Sequence, residues 1–150
     1  MSYKNEYYEL KEKLEKLKVK DEEKKEEQQK NDNAMYLEEY KKFIECNRET
    51  IEILKDSKTY FSMVIHSLGI ASDYYFTIDR GTMFIEYNPR FVGSQKTNIC
   101  KIKDINNVET IDYELLKMFF ENRARIQWDL DIKLKRLLDE MKKQVEELER

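Results

Sequence analysis

The sequence predicts a mostly helical α+β fold in which long, antiparallel, coiled-coil-like helices flank a small three-stranded antiparallel sheet. The chain of 150 residues has only 3 Gly and 1 Pro, and its apolar residues recur at helical spacing towards both ends, which favours long helices. Apolar and polar residues alternate between residues 73 and 103, which favours strands. The length indicates a single domain.

Residues 1–33 are predicted to form a charged N-terminal helix. Its apolar residues lie 4, 3, 4 and 3 positions apart on one stripe, which consists of Tyr3, Tyr7, Leu10, Leu14 and Leu17. After Leu17 the same register continues through polar residues, so this part cannot pack a core. We expect a solvated helix that ends at residues 31–33, where Asp32 or Asn33 would cap the next helix.

Residues 34–68 continue the heptad spacing and predict a second long helix, which ends before Gly69. Asn47 falls in the apolar seam of this helix, where a polar side chain sets the register and oligomeric state of a coiled coil. The competing interpretation is a strand over residues 59–65, because this stretch is rich in β-branched and aromatic residues.

Residues 73–103 predict a three-stranded meander. The alternation places a hairpin over residues 73–88, with a three-residue turn at residues 79–81 in which Gly81 takes the left-handed conformation. Pro89 then ends the second strand. Residues 98–103 form the predicted third strand, at a sheet edge because lysines alternate along it.

Residues 110–150 predict the last helix, capped by Thr110 or Asp112. A heptad trace continues along it, and its candidate partner-binding residues are Leu134, Leu137, Met141 and Leu148. Arg123 falls at a seam position, where it would either extend to solvent or pair with a carboxylate. The apolar stripes at the two ends of the chain exceed what two helices bury together, which indicates a further partner.

No arrangement of residues indicates catalysis or metal binding. The only histidine is His66, and the two cysteines, Cys46 and Cys100, match neither a zinc-binding spacing nor a disulfide framework. An enzyme built around His66 and Cys100 is therefore the hypothesis that we rank last, after protein binding and nucleic-acid binding. No glycine-rich phosphate-binding loop is present. We expect a protein that is not an enzyme and that has no cofactor and no metal.

Charge and hydropathy limit the classes of partner. The 28 basic and 31 acidic residues give a net charge of -3, which is neither the basic excess of a nucleic-acid-binding protein nor the charge of an acidic mimic. No apolar run is long enough to span a membrane, and the first residues do not resemble a secretory signal. We expect no membrane partner and a cytoplasmic location.

These observations predict a non-enzymatic protein-binding module that self-associates, or blocks a partner protein, through coiled-coil helices. Lys, Asn, Ile and Tyr are abundant, which suggests an A+T-rich source. One narrower hypothesis is thus a phage-encoded inhibitor of a bacterial defence complex such as CRISPR-Cas, acting in the host cytoplasm. The alternative is a nucleic-acid-binding protein that uses aromatic and basic residues of the sheet, namely Tyr75, Arg80, Phe84, Arg90, Lys96, Lys101 and Lys103.

Overall fold

The computed structural model describes residues 2–67, 72–89, 101–104 and 112–150. The elements in chain order are α1 (Tyr3–Cys46), α2 (Arg48–Asp56), β1 (Phe61–Ser67), β2 (Ser72–Asp79), β3 (Thr82–Pro89), β4 (Lys101–Asp104) and α3 (Tyr113–Glu149). The predicted class, a mostly helical α+β fold with two long helices and an antiparallel sheet, is confirmed. The chain divides into two compact units, Met1–Met35 and Tyr36–Arg150.

The first unit is the N-terminal part of α1, and its described side chains are exposed up to residue 31. The predicted break at residues 31–33 is wrong, because α1 continues through them. Asp32 accepts a hydrogen bond at 3.0 Å from the side-chain amide of Gln28, one helical turn earlier. Such a bond between residues four apart supports a helix, so Asp32 is not used as a cap.

The second unit contains a four-stranded antiparallel sheet in the order β1-β2-β3-β4. The predicted meander is present as β2, β3 and β4, and β1 adds a fourth strand. The helix predicted over residues 34–68 is therefore wrong beyond residue 56, and the strand interpretation of residues 59–65 is the one that the structure supports. Lys58 takes a left-handed φ of 55°, and the Thr59 amide donates to the Leu54 carbonyl at 2.8 Å. This arrangement ends α2 and turns the chain into β1.

The hairpin between β2 and β3 has a two-residue turn, not the predicted three-residue turn. Asp79 stays in the ladder opposite Thr82, which leaves Arg80 and Gly81 at φ values of 54° and 83°. Two positive φ angles define the type I′ turn that suits the twist of a hairpin. The predicted left-handed conformation of Gly81 is confirmed, and a Cβ atom there would also lie 3.0 Å from Cδ of Lys55.

Strand β4 is the described part of the predicted third strand. It pairs antiparallel with β3, with Lys103 opposite Ile85 and Lys101 opposite Tyr87. It forms one edge of the sheet, as predicted. The other residues of the prediction, 98–100, lie outside the described residues.

One face of the sheet packs against the helices of the second unit to form the core. Phe119 of α3 packs near its centre, with its ring centroid 5.4 Å from that of Tyr40, 5.0 Å from that of Phe43 and 5.5 Å from that of Phe76. The buried apolar residues of this core are Tyr40, Phe43, Ile51, Leu54, Phe61, Met63, Ile65, Phe76, Ile78, Met83, Ile85, Leu115, Leu116, Phe119, Ile126 and Leu130. Leu130 is the last buried residue along α3.

Within the second unit, two contacts show how α1 and α3 are oriented. Tyr36 packs on Phe120, with ring centroids 4.9 Å apart, and eleven residues further along the chain Asn47, at the junction with α2, bonds to Gln127 of α3. These stretches therefore run in the same direction, which corrects the antiparallel orientation that we expected. The aromatic residues near the start of α3 determine this direction, because they pack on those of α1 to be buried.

Candidate functional site

The N-terminal stripe is the set of apolar residues with heptad spacing in the first unit: Tyr3, Tyr7, Leu10, Leu14 and Leu17. All five are more than half exposed, with Tyr3 at 90% and Leu10 at 60%. Their 4-3-4-3 spacing places them on one side of the helix. The first unit thus presents a narrow apolar seam whose geometry is that of one half of a coiled coil.

The C-terminal stripe lies on the part of α3 that follows the last buried residue. Of the predicted residues, Leu134 and Leu137 are half-buried, whereas Met141 and Leu148 are 50% and 87% exposed. Leu138 and Val145 are exposed on the same side and belong to the stripe as well. The stripe is therefore Leu134, Leu137, Leu138, Met141, Val145 and Leu148.

Leu138 and Val145 could have been assigned to the interface from the sequence. Together with Leu134, Met141 and Leu148 they repeat the 4-3-4-3 spacing of the N-terminal stripe. By contrast Trp128, which is 69% exposed, lies about 140° around α3 from Met141 at ~3.6 residues per turn. Trp128 is therefore a separate exposed apolar residue and no part of the stripe.

The positions that flank the N-terminal stripe are strongly basic. In a heptad these are the e and g positions, which border the seam on its two sides. Between residues 4 and 27 they hold six lysines and two glutamates, a net charge of +4. The residues are Lys4, Lys11, Lys18 and Lys25 on one side, and Glu6, Lys13, Lys20 and Glu27 on the other.

The opposite face of the same helix is strongly acidic. Between residues 5 and 26 its charged residues are six glutamates and Lys16, a net charge of -5. Lys16 pairs with Glu12 on this face, with Nζ 3.3 Å from the carboxylate. The net charge of the first unit is therefore close to zero, although the positions beside the stripe are basic and the opposite face of the helix is acidic.

The positions that flank the C-terminal stripe carry little net charge. In the heptad register of the stripe the e positions hold Lys135, Lys142 and Glu149, and the g positions hold the uncharged Leu137 and Gln144. The net charge of these positions is +1, against +4 for the N-terminal stripe. The two stripes are therefore similar in apolar spacing and different in flanking charge.

The side-chain amide of Asn47, predicted to set the register and oligomeric state of a coiled coil, is buried and bonds to α3 within the chain. Its Nδ2 donates to Oε1 of Gln127 at 2.7 Å, and Nε2 of Gln127 donates back to its Oδ1 at 2.9 Å. A second bond from Nδ2 reaches the Phe43 carbonyl at 2.9 Å. Sliding α3 along α1 would break this reciprocal pair, so it fixes their alignment.

Arg123 combines the two environments that its seam position suggested. Its guanidinium carbon lies 4.0 Å from the centroid of the Phe120 ring, and its Nε lies 3.9 Å from Glu39. The side chain nevertheless stays about half exposed, at 46%. An ion pair this exposed contributes little to stability.

The alternative nucleic-acid site is only partly within the described residues. Tyr75 and Phe84 are half-buried on the sheet face opposite the core, and Arg80 is exposed in the turn. Lys101 and Lys103 lie in β4 at the sheet edge. Arg90 and Lys96 lie outside the described residues.

Carboxylates share that outer face with the aromatic rings. Glu86 lies directly opposite Tyr75 in the ladder. Partial burial, with a further contribution from the negative charge of Asp79, raises the pKa of the Glu86 carboxyl. Carboxylates close enough to affect one another would also repel phosphate groups, so this part of the face does not favour nucleic-acid binding.

Of the pair in the enzyme hypothesis, only His66 lies within the described residues. His66 is exposed near the end of β1, with its ring centroid 6.0 Å from that of Tyr74. Cys46 is an exposed free thiol at the end of α1, and Cys100 lies outside the described residues. Among the described residues, no group of His, Cys, Asp or Glu could hold a metal ion.

The class that the structure defines is an α+β protein whose sheet is covered on one face by helices. In comparisons with protein-family models, curated proteins and solved structures, no match to this chain was found. None of the described helices is both long and apolar enough to cross a membrane. The two stripes are therefore the features of the described chain that bear on function.

Proposed function

We propose that this protein is a non-enzymatic protein-binding module that acts through the helical stripes near its two ends. The observation that carries the proposal is the position of the last buried residue. Burial along α3 ends at Leu130, yet apolar residues continue at heptad spacing as far as Leu148. The core does not need them, and a helix with no partner would have polar residues at these positions.

The energy available at such a stripe is large enough to drive association. Fully burying one Leu, Val or Met side chain stabilises by about 1.5–3 kcal/mol. A seam of five or six such residues can thus offset the entropy that two helices lose when they associate. Spacing of 4 and 3 residues is the pattern that packs knobs into holes between two helices.

The C-terminal stripe is the part that we assign to self-association. Its flanking positions carry a net charge of only +1, so two copies can approach without strong repulsion. It is also the wider of the two stripes, because Leu137 and Leu138 lie side by side and extend the apolar surface beyond a single seam. A homo-oligomer through α3 is therefore part of the proposal.

Sedimentation of the full chain over a range of concentrations tests this assignment. We expect a concentration-dependent oligomer, and we expect the double variant Leu138→Gln/Met141→Gln to be a monomer. Helical content should stay unchanged, since both residues are half exposed in the folded chain and glutamine favours helix. The matched control is Trp128→Gln, which removes an exposed apolar residue from a different side of α3 and should leave association intact.

Two results would contradict the proposal for α3. One is a wild-type chain that remains monomeric up to concentrations on the order of 100 µM, a weak-affinity limit. The other is an oligomer that the double variant does not weaken.

The narrower hypothesis of a phage-encoded inhibitor keeps the same mechanism, in which a helix occupies a surface of its target. Nucleic-acid binding is not proposed, because Glu86 lies opposite Tyr75 on the face that it would need.

A further inference from the structure

We infer that the N-terminal stripe binds an amphipathic helix of a different protein, one whose own flanking positions are acidic, and does not pair with a second copy of itself. The inference rests on the proposed function and gives a partner chemistry to one of its two stripes. Its basis is the separation of charge around the first 27 residues of the chain.

Pairing of two N-terminal stripes would place lysine against lysine. In a parallel pair, each g residue approaches the e residue of the next heptad on the other helix. Lys13 would then face Lys18, and Lys20 would face Lys25, while Glu6 and Lys11 give the single favourable pair. In an antiparallel pair e faces e, and all four e positions are lysine. Charge therefore opposes self-association in both orientations.

The flanking lysines are largely free to meet an external partner. Within the described part of the chain, Lys25 is the one flanking lysine that forms an ion pair, with its Nζ 3.1 Å from Asp21. The others border the seam where a bound helix would place its own e and g residues. Glutamate or aspartate at those positions would complete an ion pair at each heptad.

The shape of the apolar surface favours a helix over a lipid surface or a nucleic acid. A membrane-bound helix buries a broad apolar face, whereas this stripe is a single a/d seam, which is the narrower geometry of a coiled coil. The six glutamates on the far face would also oppose approach to phosphate from that side. Among the possible occupants, an acidic-flanked helix satisfies both the seam and the lysines.

Two synthetic three-heptad peptides provide a direct test with the full-length protein. Both carry Leu at every a and d position; the acidic peptide has Glu at e and g, and the basic peptide has Lys there. We expect one-to-one binding of the acidic peptide, at least tenfold tighter than binding of the basic peptide. Affinity should fall as salt rises from ~0.1 to ~1 M, where the screening length shortens from about 10 to about 3 Å.

Variants assign the binding to the proposed surface. Lys11→Glu/Lys18→Glu should weaken binding of the acidic peptide by about tenfold and improve binding of the basic one. The control is Lys16→Glu, which introduces the same kind of charge change on the far face and should alter affinity by less than about twofold. Leu10→Gln/Leu14→Gln should abolish binding of both peptides.

Several outcomes would overturn the inference. One is equal binding of the two peptides, and another is an oligomer of the full chain that Leu10→Gln/Leu14→Gln dissociates. Tight binding of phosphatidylserine vesicles or of a single-stranded oligonucleotide, in competition with the acidic peptide, would assign the lysines to phosphate. Self-association lost in Leu138→Gln/Met141→Gln would still support the proposed function, so the two failures can be told apart.

Discussion

The second unit and the N-terminal stripe use the same apolar spacing and differ fully in burial. In α3, Leu116, Phe119 and Ile126 are fully buried, whereas Leu10 and Leu14 of α1 remain more than half exposed. The difference arises because the second unit has a sheet whose apolar face lies against its helices. An amphipathic helix gains stability mainly from packing of its apolar face. The heptad spacing of apolar residues thus defines the apolar face of a helix, and the presence of another apolar surface, here the sheet, determines whether that face is buried.

The largest expected effect contrasts a core residue with a stripe residue. Phe119→Ala should lower the free energy of unfolding by about 3–5 kcal/mol, because it leaves a cavity among three aromatic rings. Leu14→Ala should change it by no more than ~0.5 kcal/mol, as expected of an exposed residue. Urea denaturation followed by circular dichroism at low protein concentration measures both. Equal losses would mean that the N-terminal stripe is buried in solution and would remove the contrast.

A smaller effect on stability is expected when a hydrogen bond between polar side chains is removed from each of the two units. Asn47→Ala removes both hydrogen bonds to the half-buried amide of Gln127 and should cost about 1–3 kcal/mol. The matched change in the first unit is Gln28→Ala, which removes an exposed bond to Asp32 and should cost at most ~0.5 kcal/mol. A double-mutant cycle with Gln127→Ala should show coupling. Additive losses at positions 47 and 127 would contradict the role of this pair in aligning α1 with α3.

The smallest effect concerns carboxylates in the two regions. Because the pKa of Glu86 is raised in the folded state, its charge destabilises the fold once the pH exceeds that pKa. Glu86→Gln should therefore raise the urea midpoint slightly at pH 7, and the gain should disappear below the ordinary pKa of 4.5. Glu12→Gln loses an exposed ion pair with Lys16 and should lower stability by at most ~0.5 kcal/mol. A gain from Glu86→Gln that persists in acid would exclude the electrostatic explanation.

Local sequence signals predicted the parts of the fold in which one residue dictates the backbone. Gly81 marked the hairpin because few residues accept its positive φ, and Pro89 marked the end of β3. Strand β1 and the direction of α3 relative to α1 were not predicted, because both depend on contacts between residues far apart in the sequence. Residues 61–65 fit both the helical seam and a strand, and the Lys58 turn that favours the strand carries no glycine as a signal. The helix direction was missed because it depends on aromatic contacts 80 or so residues apart in sequence.

The candidate site was predictable in a similar, partial way. The heptad spacing of apolar residues, which depends on the sequence alone, predicted the positions of both stripes. The exposure of Leu138 and Val145 depends on where the core ends, which no local pattern reveals. The lysine borders of the N-terminal stripe are readable from the sequence, but they gain meaning only once residues 4–27 are known to form one helix.

Burial along α3 ends at Leu130, which has a consequence for how this protein can change over evolutionary time. Every residue after Leu137 is exposed, so substitutions there would alter the proposed binding surface while the packed sheet and its aromatic rings remain as they are. Under the proposed function, most residues that bury the core and most residues that contact a partner would lie in separate stretches of α3, so selection could act on one with little effect on the other. A new specificity would require only a few surface codons to change, with no search for a new stable core.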